Sequence, residues 1–294
     1  MCVVAAVNYF LFKYNFLWFP WLVVIVAICA ALLWSILFNS IQLYVQKRLM
    51  EQTLALYLSP KLVKKYSQQK FSRDSNLLKP GAEKQMLTIL FTDIANFTSI
   101  SEGMEGDELA KLMNKYFETA VSQCVHKTDG TVVKYIGDAV FAFWNAPELQ
   151  IDHQMRACEA ALRFQDQEVQ YINNRALITR LGLHTGVANV GNFGSTTRID
   201  YTAIGESINL AARMEGLNKY LGTIILITGD TEAGVRDRLV TRFLGLFKLK
   251  GFEKSVEVYQ LIGSLDKSEE SRVLREAFGQ ALQEFQQKDR KSVV

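Results

Sequence analysis

Cysteine and histidine are scarce in this 294-residue chain, and the few present are poorly spaced for the chemistry they usually serve. The four cysteines, Cys2, Cys29, Cys124 and Cys158, are widely separated, and two lie in or near an apolar N-terminal segment. Neither a disulfide framework nor a zinc site fits them. His126, His153 and His184 make no metal-ligand pattern with them and read as structural. Charge is missing from one long stretch: Phe16 to Phe38, FLWFPWLVVIVAICAALLWSILF, runs 23 residues without a charged side chain. As a helix it would span about 34 Å, enough for a bilayer core. A secretory signal is disfavoured, because the run is too long for an h-region and no small-residue cleavage pattern follows it. The preceding MCVVAAVNYFLF is too short to span and reads as the tail of an earlier hydrophobic segment or an interfacial piece.

Positive charge is concentrated just after that run. Eight basic residues stand against two acidic ones between Asn39 and Pro80, which by the positive-inside rule puts the rest of the chain in the cytoplasm. Taking these charges and Lys13 from the formal +3 leaves Gly81 to Val294 at −4. The bulk of the chain therefore lacks the basic excess that nucleic-acid binding requires, while the juxtamembrane excess suits anionic membrane lipid.

What is present divides the chain into a membrane segment over 1–38 (helix about 16–38), a juxtamembrane helical linker and loop over 39–82, one folded domain over 83–262, and a charged tail over 263–294. Ile41, Leu43, Val45, Leu49, Leu54, Leu56 and Leu58 alternate with polar residues until Ser59-Pro60, as in a pairing signalling linker or an ordinary connecting helix. Within the domain, Met86 to Thr92 reads as a buried strand, and Asp107 to Lys127 carries one apolar helical stripe that stops at Asp129-Gly130. Thr131 to Ile136 and Ala139 to Trp144 form a hairpin about Gly137-Asp138. A helix over about Asp152 to Tyr171 comes next, then strands at Ile178 to His184, Val187 to Val190 and Arg198 to Ile204. A helix over Glu206 to Tyr220, a strand at Thr223 to Thr228 and a terminal pair near Arg242 to Leu249 and Val256 to Leu261 complete it. The order predicts an α+β, ferredoxin-like βαββαβ fold with helices on one face of a mainly antiparallel sheet.

Two carboxylates stand out. Asp93 directly follows a strand and Asp138 sits at the hairpin tip; if those strands are neighbours, both emerge at one sheet edge and suit a pair of hard cations such as Mg²⁺. Taken singly, Asp93 reads first as a helix cap and Asp138 as an ordinary turn residue. The phrase Ile94-Ala95-Asn96-Phe97-Thr98, opening a helix, would aim backbone N–H groups at an anion beside Asp93.

The segments FTDIANFTSISE, KYIGDAVFAFW, RLGLHTGVANVGNFG and YTAIGESINLAARME together resemble the catalytic domain of class III adenylyl cyclases of the bacterial and soluble type, in that family's order and spacing over roughly Lys84 to Ile262. LYLSPKLVKKY after the membrane segment resembles the junction of membrane-anchored members. The resemblance implies conversion of ATP to 3′,5′-cyclic AMP and pyrophosphate, with two divalent cations, Mg²⁺ or Mn²⁺, at a head-to-tail homodimer interface. It implies that Asp93, Asp138 and the Ile94 carbonyl hold the metals. Lys134 then contacts adenine N1 where guanylyl cyclases carry Glu, and Thr202 accepts from adenine N6. Asn209 orients the ribose and Arg213, four residues on, meets the α-phosphate, while Lys250 and Arg198 are candidates for the terminal phosphates. The competing readings are a guanylyl cyclase, opposed by Lys134, and an inactive dimerisation module, opposed by the intact residue set. The glycine-glycine-acidic signature of diguanylate cyclases is absent.

Overall fold

A computed structural model describes residues 2–15, 21–55, 81–165, 171–172, 175–195, 197–265, 272–273 and 276–284. The chain divides into two compact units, Met1–Gln68 and Gln69–Val294. The first holds α1 (Cys2–Asn15) and α2 (Trp21–Ala55). Within α2, Val23–Leu49 is long and apolar enough to cross a membrane, and none of that stretch is buried in the protein. The helix runs unbroken through Asn39 and past Lys47 and Arg48, so no break in helical structure marks the expected boundary between membrane segment and linker. The remainder of the expected linker, 56–80, and the tail residues 285–294 lie outside the described residues.

The second unit is built on β1 (Gly81–Ile94), followed by a short α3 (Phe97–Ser101) and by α4 (Gly106–Thr119). Next come β2 (Thr131–Ile136), β3 (Ala139–Trp144), α5 (His153–Arg163) and a two-stranded ribbon of β4 (Tyr171–Ile172) and β5 (Arg175–Ala176). They are followed by β6 (Thr179–Gly194), β7 (Ile199–Ile204), α6 (Glu206–Leu221), β8 (Ile225–Thr228), α7 (Gly229–Glu232), β9 (Leu239–Phe247) and β10 (Val256–Ser264). A last helix, α8, occupies 276–284. The sheet runs β2-β3-β1-β6-β8-β10-β9, with β7 pairing the far half of β6; only β6 and β8 are parallel. The inner order β2-β3-β1-β6 is that of the expected βαββαβ unit.

Period-two alternation sends β1 side chains into two cores. Leu90 and Ile94 join Ala142, Trp144 and the buried faces of α4 and α5; Leu87 and Ile89 join Phe141, Phe143 and Ala211 of α6. The sheet is thus covered on both faces, by α4 and α5 on one and by α6, outside the βαββαβ repeat, on the other.

Local expectations change: β1 begins at Gly81, inside the expected loop, and β9 runs Leu239–Phe247 rather than near Arg242 to Leu249. The helix expected over Asp107 to Lys127 is α-helical only to Thr119; Ala120–Val125 is a π-helical turn and His126–Thr128 a 3₁₀ turn, which keeps Ala120, Val121, Cys124 and Val125 all buried. The helix expected to reach Tyr171 ends at Arg163, and Tyr171 belongs to β4. The strands expected at Ile178 to His184 and Val187 to Val190 are one strand, because β1 pairs with β6 along its whole length. Gly186 is no turn there: a Cβ would lie 2.4 Å from Ser207 Oγ and 2.5 Å from His184 Nε2, so the glycine admits α6 instead.

Candidate active site

Asp93 stands one residue from the end of β1, and Asp138 in the tight turn between β2 and β3 where Gly137 adopts φ 63°. Because β3 pairs with β1, the turn comes back to the end of β1, and the Ile94 N–H donates to Asp138 Oδ2 at 3.0 Å. The Ile94 side chain is anchored in the main core, so its peptide is held at this edge. Burial and the neighbouring Asp138 carboxylate raise the Asp93 pKa above its usual value, with Arg180 and Lys219 pulling the other way. Two carboxylates crowded at a half-buried edge need positive charge. Among the described residues no cluster of three or more His, Cys, Asp and Glu side chains can ligate an ion. The pair fits hard divalent cations that take their remaining oxygens from a carbonyl, water and phosphate.

Two residues with no role in the expected site, the first of RLGLHTGVANVGNFG and the last of YTAIGESINLAARME, lie near this pair. The register of β1 on β6 sets Arg180 directly opposite Asp93. Glu215 of α6 is also close, and its carboxyl is raised to about 7, first by burial and then by Asp93, with Arg180 opposing. Its approach depends on Gly182, where a Cβ would fall 2.0 Å from the Glu215 amide nitrogen. The glycine of Arg180-Leu181-Gly182 is the sequence signal beside Glu215, as Gly186 is beside Ser207, that the helix lies against β6.

Beyond Asp93 the chain turns at Asn96, which takes φ 58°, a conformation asparagine tolerates, into α3. Phe97 is half-buried against the main core and Thr98 is exposed.

Asn209 and Arg213 lie elsewhere on α6. With Glu206, Ala212, Lys250, Gly251 and Phe252 they line a cleft of about 740 Å³. Lys250 reaches it from a turn closed by a hydrogen bond from the Phe252 N–H to the Leu249 carbonyl at 3.1 Å, with Gly251 at φ 90°. At about 100° per residue, Arg213 and Glu215 diverge by about 160° around the helix axis. The cleft and the carboxylate pair therefore open on different sides of α6.

Lys134 is exposed on β2, paired with Phe141 just after a bulge at Val133. Thr202 is buried on β7, opposite Gly191. The strands are far apart in sheet order, yet Val133, Tyr201 and Ala203 belong to one apolar cluster, and the Tyr201 and Phe143 rings lie 6.2 Å apart. The sheet curls enough to bring β7 back over β3. Arg198 lies outside the cleft, 83% exposed near the β6–β7 turn, with its Nε 3.7 Å from Asp200 Oδ1.

Residues 80–263 match the family described as the adenylate and guanylate cyclase catalytic domain. Adenylate cyclase 1 of Rhizobium meliloti is 37% identical over 217 residues, covering 72% of this chain and 32% of the relative, so the chain spans about a third of that protein's length. The crystal structure of the adenylyl cyclase CyaB from P. aeruginosa superposes with a TM-score of 0.54 at 33% identity, covering 63% of this chain and 97% of that one. The guanylate cyclase domain of RhGC from Catenaria anguillulae, solved in complex with GTP, gives 0.56 at 26% identity, covering 62% and 100%.

Proposed function

The chain belongs to the adenylate and guanylate cyclase catalytic domain family, and from that membership we propose that it is a class III adenylyl cyclase working as a head-to-tail homodimer. The ribose 3′-oxygen of ATP attacks the α-phosphorus, the bond to the bridging oxygen breaks, and 3′,5′-cyclic AMP and pyrophosphate leave. Asp93 and Asp138, with the Ile94 carbonyl, would hold two divalent cations, Mg²⁺ or Mn²⁺, whose chemistry there would be activation of the 3′-hydroxyl and neutralisation of phosphate charge. From the other subunit, Lys134 donates to adenine N1, Thr202 accepts from N6 and Asn209 orients the ribose. Arg213 donates to the α-phosphate as charge builds, and Lys250 holds the terminal phosphates. Phe97 and Thr98 border the phosphates from the carboxylate side. Arg198, outside the cleft, remains a candidate for the terminal phosphates.

The observation that carries this reading is the split across α6. The carboxylate pair lies towards Glu215, and the cleft of Asn209, Arg213 and Lys250 opens about 160° away. One chain then holds two unlike half-sites, which a twofold axis combines into two whole ones. Val23–Leu49 anchors the domain to the inner or plasma membrane, the basic excess of the sequence between Asn39 and Pro80 favouring anionic lipid and a cytoplasmic cyclase domain. A guanylyl cyclase is the second reading, favoured by the likeness to the Catenaria domain and opposed by Lys134. Purified protein supplied with ATP or GTP and Mg²⁺ or Mn²⁺, assayed for cyclic product, decides it: cyclic AMP from ATP with little cyclic GTP is expected, and preferential cyclic GTP formation would reverse the choice.

A further inference from the structure

The turn that carries Lys250 is fixed at both ends in one small core. Leu249 is buried in a cluster with Leu210, Met214, Leu244 and Val258, and Phe252 packs against the same cluster. Another aromatic reaches this cluster from a different part of the chain: Phe278 of α8. Its ring lies 4.7 Å from the Arg242 guanidinium carbon of β9, and Arg242 Nη2 donates to Gln260 Oε1 of β10. Arg242 Nε is buried without a hydrogen-bond partner, and the Phe278 ring lies over the same half-buried guanidinium in a favourable cation–π contact. One turn further along α8, Leu282 lies over Gly245, where a Cβ would come within 3.9 Å of Leu282 Cδ1. This helix follows the last strand of the matched domain, beyond residue 263.

We propose that α8 is a brace for the β9–β10 turn, so that docking of Phe278 sets how firmly Lys250 is presented to a polyphosphate. The proposal rests on the reading of Lys250 as a phosphate contact. The physical route is short. A turn whose flanking residues share a packed core moves with that core, and removing one aromatic from it leaves a cavity that relaxation fills by shifting Leu249 and Phe252. An ammonium on a long flexible stem loses affinity when its backbone anchor wanders. The C-terminal helix is then a point at which anything that binds or displaces it alters the hold on the substrate's phosphates.

The test uses the full chain with Phe278→Ala, the conservative Phe278→Leu, Lys250→Ala and the double variant. Inorganic tripolyphosphate serves as a competitive probe, and amide hydrogen exchange over 248–253 as a second readout. Phe278→Ala should weaken tripolyphosphate inhibition by about three- to tenfold, speed exchange at the Phe252 amide, and add nothing in the Lys250→Ala background. Phe278→Leu should restore most of both. Unchanged exchange in Phe278→Ala overturns the brace, as does an undiminished effect of Phe278→Ala when Lys250 is already gone. Faster exchange together with a Lys250→Ala variant that binds tripolyphosphate normally overturns the phosphate reading of Lys250 and, with it, the link from α8 to substrate.

Discussion

Arg213 opens onto the cleft that Asn209 and Lys250 line, whereas Glu215, two residues on, faces Asp93 and Asp138. The helical repeat alone produces this divergence. It lets one helix, fixed on the sheet through Ser207, Leu210, Ala211, Met214 and Asn218, line the cleft on one side and back the carboxylate pair on another.

The carboxylate pair yields a prediction independent of turnover. Asp93 is raised by burial and by Asp138, so a divalent cation that relieves the crowding binds the folded state preferentially and stabilises it. Mg²⁺ or Mn²⁺ at saturating concentration should raise the melting temperature of the wild-type protein by a few degrees. Asp93→Ala and Asp138→Ala should lose that increment and the cyclase activity while keeping the metal-free fold. An undiminished metal-dependent increment in both variants rules out the assignment.

Base choice should turn on Lys134. Replacing it by Glu sets an acceptor against adenine N1 and should cut kcat/KM for ATP by about a hundredfold or more. Changing Thr202 to Cys as well should bring in GTP turnover. Untouched ATP kinetics in Lys134→Glu would mean that β2 is not part of the base pocket.

At Gly182 the space for a side chain is already taken by the α6 backbone, with the Glu215 nitrogen 2.0 Å from where a Cβ would stand. Gly182→Ala should therefore push α6 outward and cost about 1–3 kcal/mol in stability. Because α6 carries Asn209 and Arg213 and packs close to the carboxylate pair, activity should fall in the same variant. A thermal melt within a degree of wild type contradicts the close packing inferred at this strand.

Acid stability should depend on His184. Burial lowers its pKa to about 4, while its Nδ1 lies 2.9 Å from Thr228 Oγ1 and 4.0 Å from Asp230 Oδ2. The unfolded state takes up a proton near the ordinary value of 6.5 and the folded state only near 4. The stability from keeping this ring neutral is thus present above 6.5 and lost as pH falls towards 4, by about 3 kcal/mol in all. Chemical denaturation of wild type and His184→Gln across that range should show a shallower acid decline in the variant. Parallel curves would mean the ring titrates normally.

Much of this is legible in the sequence, and particular residues show why the rest is not. The β2–β3 hairpin follows from Gly137-Asp138 between two apolar runs, and its observed limits are the expected ones. α6 ends one residue beyond expectation, where Gly222 at φ 64° stops it. Both are local effects. Arg180 and Glu215 escape a sequence reading because they meet Asp93 only through strand register and helix packing, neither of which leaves a periodic trace. The continuity of β6 is hidden by Gly186, which looks like a break and instead serves a close contact. The curl that gathers Val133 and Tyr201 into one cluster is likewise a property of the whole sheet.

The central claim is that no single chain holds a complete site, and mixing two inactive variants tests it most directly. Asp93→Ala and Arg213→Ala chains should each be inactive alone. In their heterodimer one composite site carries both lesions and the other carries none. Random pairing makes half of the dimers mixed, each with one working site of two, so activity should recover to about a quarter of wild type. No recovery despite demonstrated subunit exchange would mean that the site lies within one chain, contradicting the head-to-tail arrangement.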